Sequence, residues 1–310
     1  MVLVKSSRLS PKSTSSMARD FRFSADADVY RGRLAPTPSG LLHAGHARTF
    51  WIAWHRSRQF KGSLIFRNED LDPLRCKANL ATAALEDMRW LGLSWKEGPD
   101  IGGPHAPYDQ SARTKFYQSS LKRLAEAGLL FPCARSRKEL NAYRELNGQK
   151  KGEPIYPEEW RPCRQSFQFD TPEAGVIWRF RVPTGRVVTF VDQCLGERSF
   201  VAGEDFGDFV VWRRDGVPAY ELAVVVDDIE MGITEVVRGE DLLLSTARQI
   251  LLYEALGCYP PEFYHCPLLR DGDGNKLSKS LDSISITDHR ASGADPAAWA
   301  KDFTRVYNSL

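Results

Sequence analysis

Four side chains and one glycine stand where a nucleotide phosphate could be handled. His43-Ala44-Gly45-His46 lies near one end of the 310-residue chain, and Lys276-Leu277-Ser278-Lys279-Ser280 lies near the other. The first motif follows a Pro/Gly turn and opens a helix. Free backbone N–H groups and the helix dipole attract phosphate at such a position. Gly45 permits close approach to the backbone. Two imidazoles three residues apart share one helical face and can donate to phosphate oxygens as charge builds there. The second motif puts two lysines in a loop, each a point charge on a flexible stem able to reach a triphosphate. Taken singly, each motif has a bland reading. A close histidine pair is often structural or metal-binding, and a Lys-Ser-Lys is often a solvated loop. A metal at the histidines would lack a third ligand at usual spacing.

The elements that must position these residues follow from the pattern. Tyr30 to Ala35 reads as a short buried strand, broken by Pro36-Thr37-Pro38-Ser39-Gly40. A helix follows, with Ala47, Phe50, Ala53 and Trp54 at helical spacing. Ser63 to Arg67 is a second strand, ending in Asn68-Glu69-Asp70. Leu80, Ala84, Met88 and Leu91 line a second helix closed by Gly92, and a third runs from Gln110 to Glu126. This alternation predicts the α/β class, with a parallel sheet and crossover helices, over residues 30–131 and again over 207–310. Both motifs then fall at the carboxyl edge of the sheet, where ligands of such folds bind.

The rhythm is lost over 132–206, which reads as an inserted α+β subdomain. It is basic at first, through Arg135, Arg137, Lys138, Arg144, Lys150 and Lys151. It then alternates as a strand, with Trp178, Phe180 and Val182 facing one way and Arg179 and Arg181 the other. After it, the spacing predicts a hairpin: Phe209 to Trp212, an Asp215-Gly216 turn, and a return strand from Ala219 to Val226. Ile233 to Val237 is a further strand, Leu244 to Leu256 a helix ended by Gly257, and Tyr264 to Leu269 a last strand leading to the lysine loop. Residues 1–29 read as a disordered tail. Its first 19 residues hold six serines and no acid, a composition that superficially fits a transit peptide, and Met17 is an alternative start.

Composition is that of a globular protein, 42% hydrophobic and 26% charged, with a formal net charge of +2. That balance neither demands nor excludes a polyanionic partner. No apolar run of about 18 residues predicts a membrane span. Six cysteines without regular pattern read as reduced thiols, which points to the cytoplasm.

Together, in this order, the two motifs resemble the signatures of class I aminoacyl-tRNA synthetases, with Leu277 replacing the usual methionine. The flanking segments are similar to the glutamyl group of that family: Arg33-Leu34-Ala35-Pro36-Thr37-Pro38-Ser39-Gly40, Phe66-Arg67-Asn68-Glu69-Asp70-Leu71-Asp72, Pro218-Ala219-Tyr220-Glu221-Leu222-Ala223 and Val237-Arg238-Gly239-Glu240-Asp241-Leu242. The resemblance covers most of residues 30–285. It implies a Rossmann-type catalytic domain that activates L-glutamate with ATP and Mg2+. His43, His46, Lys276 and Lys279 would be catalytic, and with Gly45 would bind ATP. Arg33, Ala35, Thr37, Glu69, Tyr220 and Arg238 would form the glutamate site. Arg33 and Arg238 would meet carboxylates, Thr37 and Tyr220 would supply hydroxyls, and Glu69 would receive the ammonium. Which arginine takes the side-chain carboxylate stays open.

The chain stops 30 residues after Ser280. A short branch of the family that stops there, without an anticodon-binding domain, attaches glutamate to queuosine in the anticodon stem-loop of tRNA(Asp). The expectation is therefore a monomer of that branch, with Arg135, Lys150 and Lys151 as candidate tRNA contacts. The alternatives are an enzyme charging tRNA(Glu) and a non-catalytic tRNA-binding relative. The four signature residues favour catalysis. Many relatives carry zinc on Cys-x-Cys and Tyr-x-x-x-Cys. Here Cys133, Tyr156 and Cys163 form an incomplete set, so no zinc is expected, and Cys133 and Cys163 read as small buried hydrophobes.

Overall fold

The computed structural model describes residues 29–148, 152–168, 171–172, 175–268 and 284–309. Strand β1 (Arg31–Leu34), helix α1 (Ala44–Gln59), β2 (Ser63–Phe66), α2 (Ala78–Trp90) and α3 (Thr114–Glu126) follow in the expected order. Next come β3 (Leu130–Cys133), α4 (Arg137–Leu146), β4 (Ile177–Phe180), β5 (Val187–Asp192), β6 (Gly196–Val201) and β7 (Phe209–Trp212). Then α5 (Tyr220–Glu230), β8 (Glu235–Gly239), α6 (Leu243–Ala255), β9 (Glu262–Cys266), α7 (Ile286–Ala291) and α8 (Pro296–Tyr307) complete the described chain.

β1 and β2 pair in parallel, as do β8 and β9. The two pairs meet where Thr234 N–H donates to Arg31 O at 2.8 Å and Arg31 N–H donates to Thr234 Oγ1 at 2.8 Å. Further on, Arg33 Nη1 donates to Val237 O at 2.9 Å. β1 and β8 therefore run side by side in the same direction, and the carboxyl ends of β2, β1, β8 and β9 form one edge. One core lies between these strands and α1, α2 and α8, through Leu34, Ile52, Phe66, Met88, Val237 and Phe303.

The segment between the two halves is stitched to both. β4 pairs antiparallel with β3 on one side and with β7 on the other. β5 and β6 form an antiparallel hairpin, and Asp192 at the end of β5 pairs in parallel with Phe263 of β9. Trp178, Phe180 and Val182 share a second core with Leu222 and Val225 of α5 and Leu251 of α6.

The predicted hairpin is corrected. Its turn exists, with Arg213 N–H donating to Val217 O at 2.9 Å, but the return stops after the Trp212–Pro218 bridge. The chain then enters α5 instead of a strand. The run Leu222–Val226 is apolar without alternation because α5 is buried on all sides. A continuous apolar run does not distinguish a buried helix from a buried strand. Helical geometry also places Asp227 and Asp228 together at the end of α5, where they meet Arg67. Arg67 is fully buried and reaches Asp228 at 2.6 Å, Glu69 at 3.0 Å and Asp227 at 3.8 Å. Arg113 reaches the other oxygen of Asp227 at 2.6 Å. Buried carboxylates need such partners, since an unpaired buried charge costs several kcal/mol.

Candidate active site

The carboxyl edge of the parallel strands opens into a cavity of about 580 Å³. Nine of the expected site residues line it: Arg33, Ala35, Thr37, His43, Gly45, His46, Glu69, Tyr220 and Arg238. They come from four places in the chain, and the fold brings them together. Lys276 and Lys279 lie outside the described residues. The described flanks of their segment are both tied to the cavity rim. Leu268 N–H donates to Glu240 Oε1 at 2.9 Å, and Ile286 N–H donates to Leu42 O at 2.8 Å. Ser285 caps α7 through its hydroxyl and Asp288, which holds the second flank.

His43 and His46 cap their own helix. His43 is the N-cap of α1, and its Nδ1 accepts from Gly45 N–H at 3.1 Å. His46 Nδ1 accepts from His43 N–H at 3.3 Å. This is a capping box built from imidazoles in place of Ser and Glu. It has a chemical consequence. A ring whose Nδ1 accepts carries its proton on Nε2 when neutral. Both rings thus hold an Nε2–H donor, and their centroids are 3.8 Å apart. Gly45 leaves room for this packing: a Cβ there would sit 3.0 Å from His43 Cε1 and crowd the capping ring. No acidic residue occupies the first turn of α1, so the positive end of the helix dipole is left for an anion.

Two arginines differ in a way sequence could not show. Arg33 lies 3.7 Å from Asp228, so part of its charge is already matched. Arg238 is held by neutral groups: His265 Nε2 at 3.1 Å, Gln249 Oε1 at 2.9 Å, Thr246 Oγ1 at 2.6 Å and Leu242 O at 3.5 Å. Among the described residues no carboxylate forms an ion pair with it. A buried guanidinium without a counter-ion is a strong site for an incoming carboxylate. Glu69 Oε1 accepts from Arg67 Nη2, and no described residue pairs with Oε2. Burial pushes the Glu69 carboxyl up, with Arg67 and Arg33 opposing. Tyr220 sits at the first turn of α5, not on a strand. It keeps 38% of its surface accessible. Burial of its hydroxyl end, partly offset by Arg238, pushes its phenol up to about 12, so it stays a donor at neutral pH.

Arg48, on α1 one turn beyond Gly45, was not among the expected residues. It is buried, lines the cavity and donates to Pro267 O, while its Nε has no hydrogen-bond partner. Its position on the helix face of Gly45 was the available signal.

The cysteine set does not fit zinc. Cys133 is buried, but Cys163 is exposed, against the expectation of two buried thiols. Cys133 Sγ accepts from Arg179 Nε at 3.3 Å and contacts Tyr156 OH at 3.6 Å. A guanidinium against the thiol occupies the side a dication would need. Arg135 pairs with Glu139 at 3.0 Å and lies over the Trp160 ring at 4.6 Å. Lys150 and Lys151 lie outside the described residues.

The model of the class I tRNA synthetase (E and Q) catalytic domain matches residues 30–307. The Glutamyl-Q tRNA(Asp) synthetase of Symbiobacterium thermophilum is 46% identical over 270 residues, which cover 86% of this chain and 82% of that protein. The protein of the same name from Nitratidesulfovibrio vulgaris is 44% identical, covering 87% of this chain and 83% of its own length. Glutamate–tRNA ligase 2 of Syntrophus aciditrophicus is 42% identical, but this chain spans only 55% of it. The crystal structure of glutamate-tRNA synthetase from Elizabethkingia anophelis superposes with a TM-score of 0.71 at 32% identity, over 81% of this chain and 52% of that one. With its matched domain, its parallel-sheet edge and its lined cavity, this chain belongs to the class I tRNA synthetases of the E and Q group.

Proposed function

We propose that the chain activates L-glutamate with ATP and passes the glutamyl group to queuosine in the anticodon loop of tRNA(Asp). The observation that carries the first half is Arg238, a buried guanidinium with only neutral partners, in one cavity with Glu69 and the two Nε2–H donors. In this reading Arg238 takes the side-chain carboxylate, Glu69 Oε2 takes the ammonium, and Arg33, Thr37 and Tyr220 complete the pocket beside Ala35. The substrate α-carboxylate attacks the α-phosphate of ATP, and the bond to pyrophosphate breaks. His43 and His46 donate to the phosphate oxygens as charge builds on them. Lys276 and Lys279 hold the leaving pyrophosphate, on a segment whose flanks are tied to the rim. Magnesium accompanies the ATP. No covalent enzyme intermediate is needed, because positioning and electrostatic stabilisation supply the catalysis.

The second half is supported by the relatives named Glutamyl-Q tRNA(Asp) synthetase, at 44–46% identity over most of their length. A queuosine hydroxyl attacks the adenylate carbonyl and AMP leaves. We read the enzyme as a cytoplasmic monomer. All six cysteines are free thiols, which fits a reducing compartment, and no helix among the described residues is long and apolar enough to cross a membrane. The test is glutamate-dependent ATP–pyrophosphate exchange without tRNA. We expect exchange in the absence of any tRNA. Exchange that appears only when tRNA(Glu) is added would favour the tRNA(Glu)-charging alternative instead.

A further inference from the structure

We infer that Asp192 and His265 form a positioning dyad that holds Arg238 in the orientation that meets the substrate's side-chain carboxylate. The inference rests on the glutamate reading above. Both side chains are fully buried, and neither lines the cavity. Asp192 stands at the end of β5 and His265 on β9, so the dyad lies where the hairpin joins the parallel strands. The Asp192 carboxylate accepts from the backbone N–H groups of Cys194 at 3.0 Å, Leu195 at 2.9 Å and His265 at 3.1 Å. Its Oδ2 meets His265 Nδ1 at 2.6 Å.

These contacts fix a proton. A carboxylate can only accept, so His265 must carry its hydrogen on Nδ1. Burial holds the ring neutral, its pKa lying below the ordinary value despite the opposing pull of Asp192. Nε2 is then a lone pair, and it receives Arg238 Nε–H at 3.1 Å. With Gln249 on Nη1 and Thr246 on Nη2, every nitrogen of Arg238 is anchored by a neutral acceptor. Gln249 is itself oriented, since its amide donates to Glu221 at 2.9 Å. The guanidinium is thus immobilised without its charge being cancelled. The opposite tautomer would set an Nε2–H against the Arg238 Nε–H; its remaining acceptor is Thr246 Oγ1, 3.0 Å away, so the Arg238 Nε anchor would be lost.

The test exploits the tautomer. In Asp192→Asn, Oδ1 is retained by the backbone N–H groups of Cys194 and Leu195. The new amide therefore faces Nδ1 as a donor and forces the proton onto Nε2. In His265→Gln, the side-chain oxygen reaches the Nε2 position and accepts from Arg238 whatever residue 192 is. We expect Asp192→Asn to raise KM for glutamate about tenfold or more, the scale of one misaligned charge-assisted hydrogen bond. KM for ATP should stay within about twofold. Adding His265→Gln to Asp192→Asn should recover most of the loss, which a purely architectural role would not allow. Thermal unfolding of each variant separates folding from binding. Should the double variant be no better than Asp192→Asn, or should KM for ATP rise in step with KM for glutamate, the dyad has no positioning role. His265→Asn, which keeps the Asp192 contact but lacks the acceptor, provides the same comparison if Asp192→Asn does not fold. Absence of glutamate-dependent exchange in the wild type would overturn the glutamate reading and the dyad's assignment with it. Exchange in the wild type with an unmoved KM in the variants would overturn the dyad alone.

Discussion

Replacing His46 with alanine is expected to lower kcat for glutamate-dependent ATP–pyrophosphate exchange about a hundred- to a thousandfold, the loss seen when one preorganised oxyanion donor is removed. The capping box complicates the experiment in a useful way. His46 Nδ1 also holds the His43 N–H at 3.3 Å, so alanine removes a cap worth about 0.5–2 kcal/mol as well as a donor. Asparagine separates the two roles. Its oxygen lies where Nδ1 lies and can restore the cap, but it carries nothing at the Nε2 position. His46→Asn should therefore regain much of the stability lost in His46→Ala while remaining as slow. Stopped-exchange kinetics and thermal unfolding on the same three proteins give the answer. Full activity in His46→Asn would make the second histidine a capping residue only, and the phosphate role would fall to other groups.

Replacing Arg238 with methionine is expected to act on recognition more than on folding. A charge-assisted pair lost from a buried site costs about 2–5 kcal/mol, which is roughly thirtyfold to several thousandfold in KM for glutamate. The fold should tolerate the change, because the four groups around Arg238 are neutral and no carboxylate is stranded. Arg67 offers the contrast: its removal would leave Asp227, Asp228 and Glu69 short of a cation. Preference for glutamate over glutamine should collapse in Arg238→Met, since Arg33 already shares its charge with Asp228 and Arg48 sits on α1 beside Gly45. Arg238→Lys should fall between, keeping the charge but losing the three-point anchoring. The measurement is steady-state exchange with glutamate and glutamine side by side. A variant that keeps its glutamate preference would move the side-chain carboxylate to Arg33.

Much of the site was legible in the sequence, for physical reasons that can be named. The first strand, its Pro/Gly break and α1 were readable because each carries a local signal: β-strand burial, turn residues and helical spacing. Seven of the nine cavity residues sit near strand ends or helix starts, while Thr37 and Glu69 lie in the loops after β1 and β2. The family resemblance named the glutamate-site residues, and the order of the elements explains why they share one cavity. Features without a local signal are not legible in this way. The return strand after Asp215-Gly216 became α5, because an uninterrupted apolar run reports burial and not geometry. Arg67 and Asp228 lie 161 positions apart, and no spacing rule pairs them. His265 lies in a short apolar strand, flanked by Tyr264 and Cys266, and looks like core; its role appears only when Asp192 and Arg238 are seen on either side of it. Residue type alone predicts a buried Cys163, yet the structure leaves it exposed, while Cys133 is buried against Arg179. The unequal standing of Arg33 and Arg238 depended on partners distant in sequence and needed the structure.

The proposed transfer of glutamate activated here is to queuosine. It is tested most directly by incubating the enzyme with ATP, labelled glutamate and two preparations of tRNA(Asp), one carrying queuosine and one an unmodified transcript. The queuosine-containing tRNA alone should be labelled, at the anticodon loop. Equal labelling of the unmodified transcript, or labelling of tRNA(Glu) at its acceptor end, would contradict it.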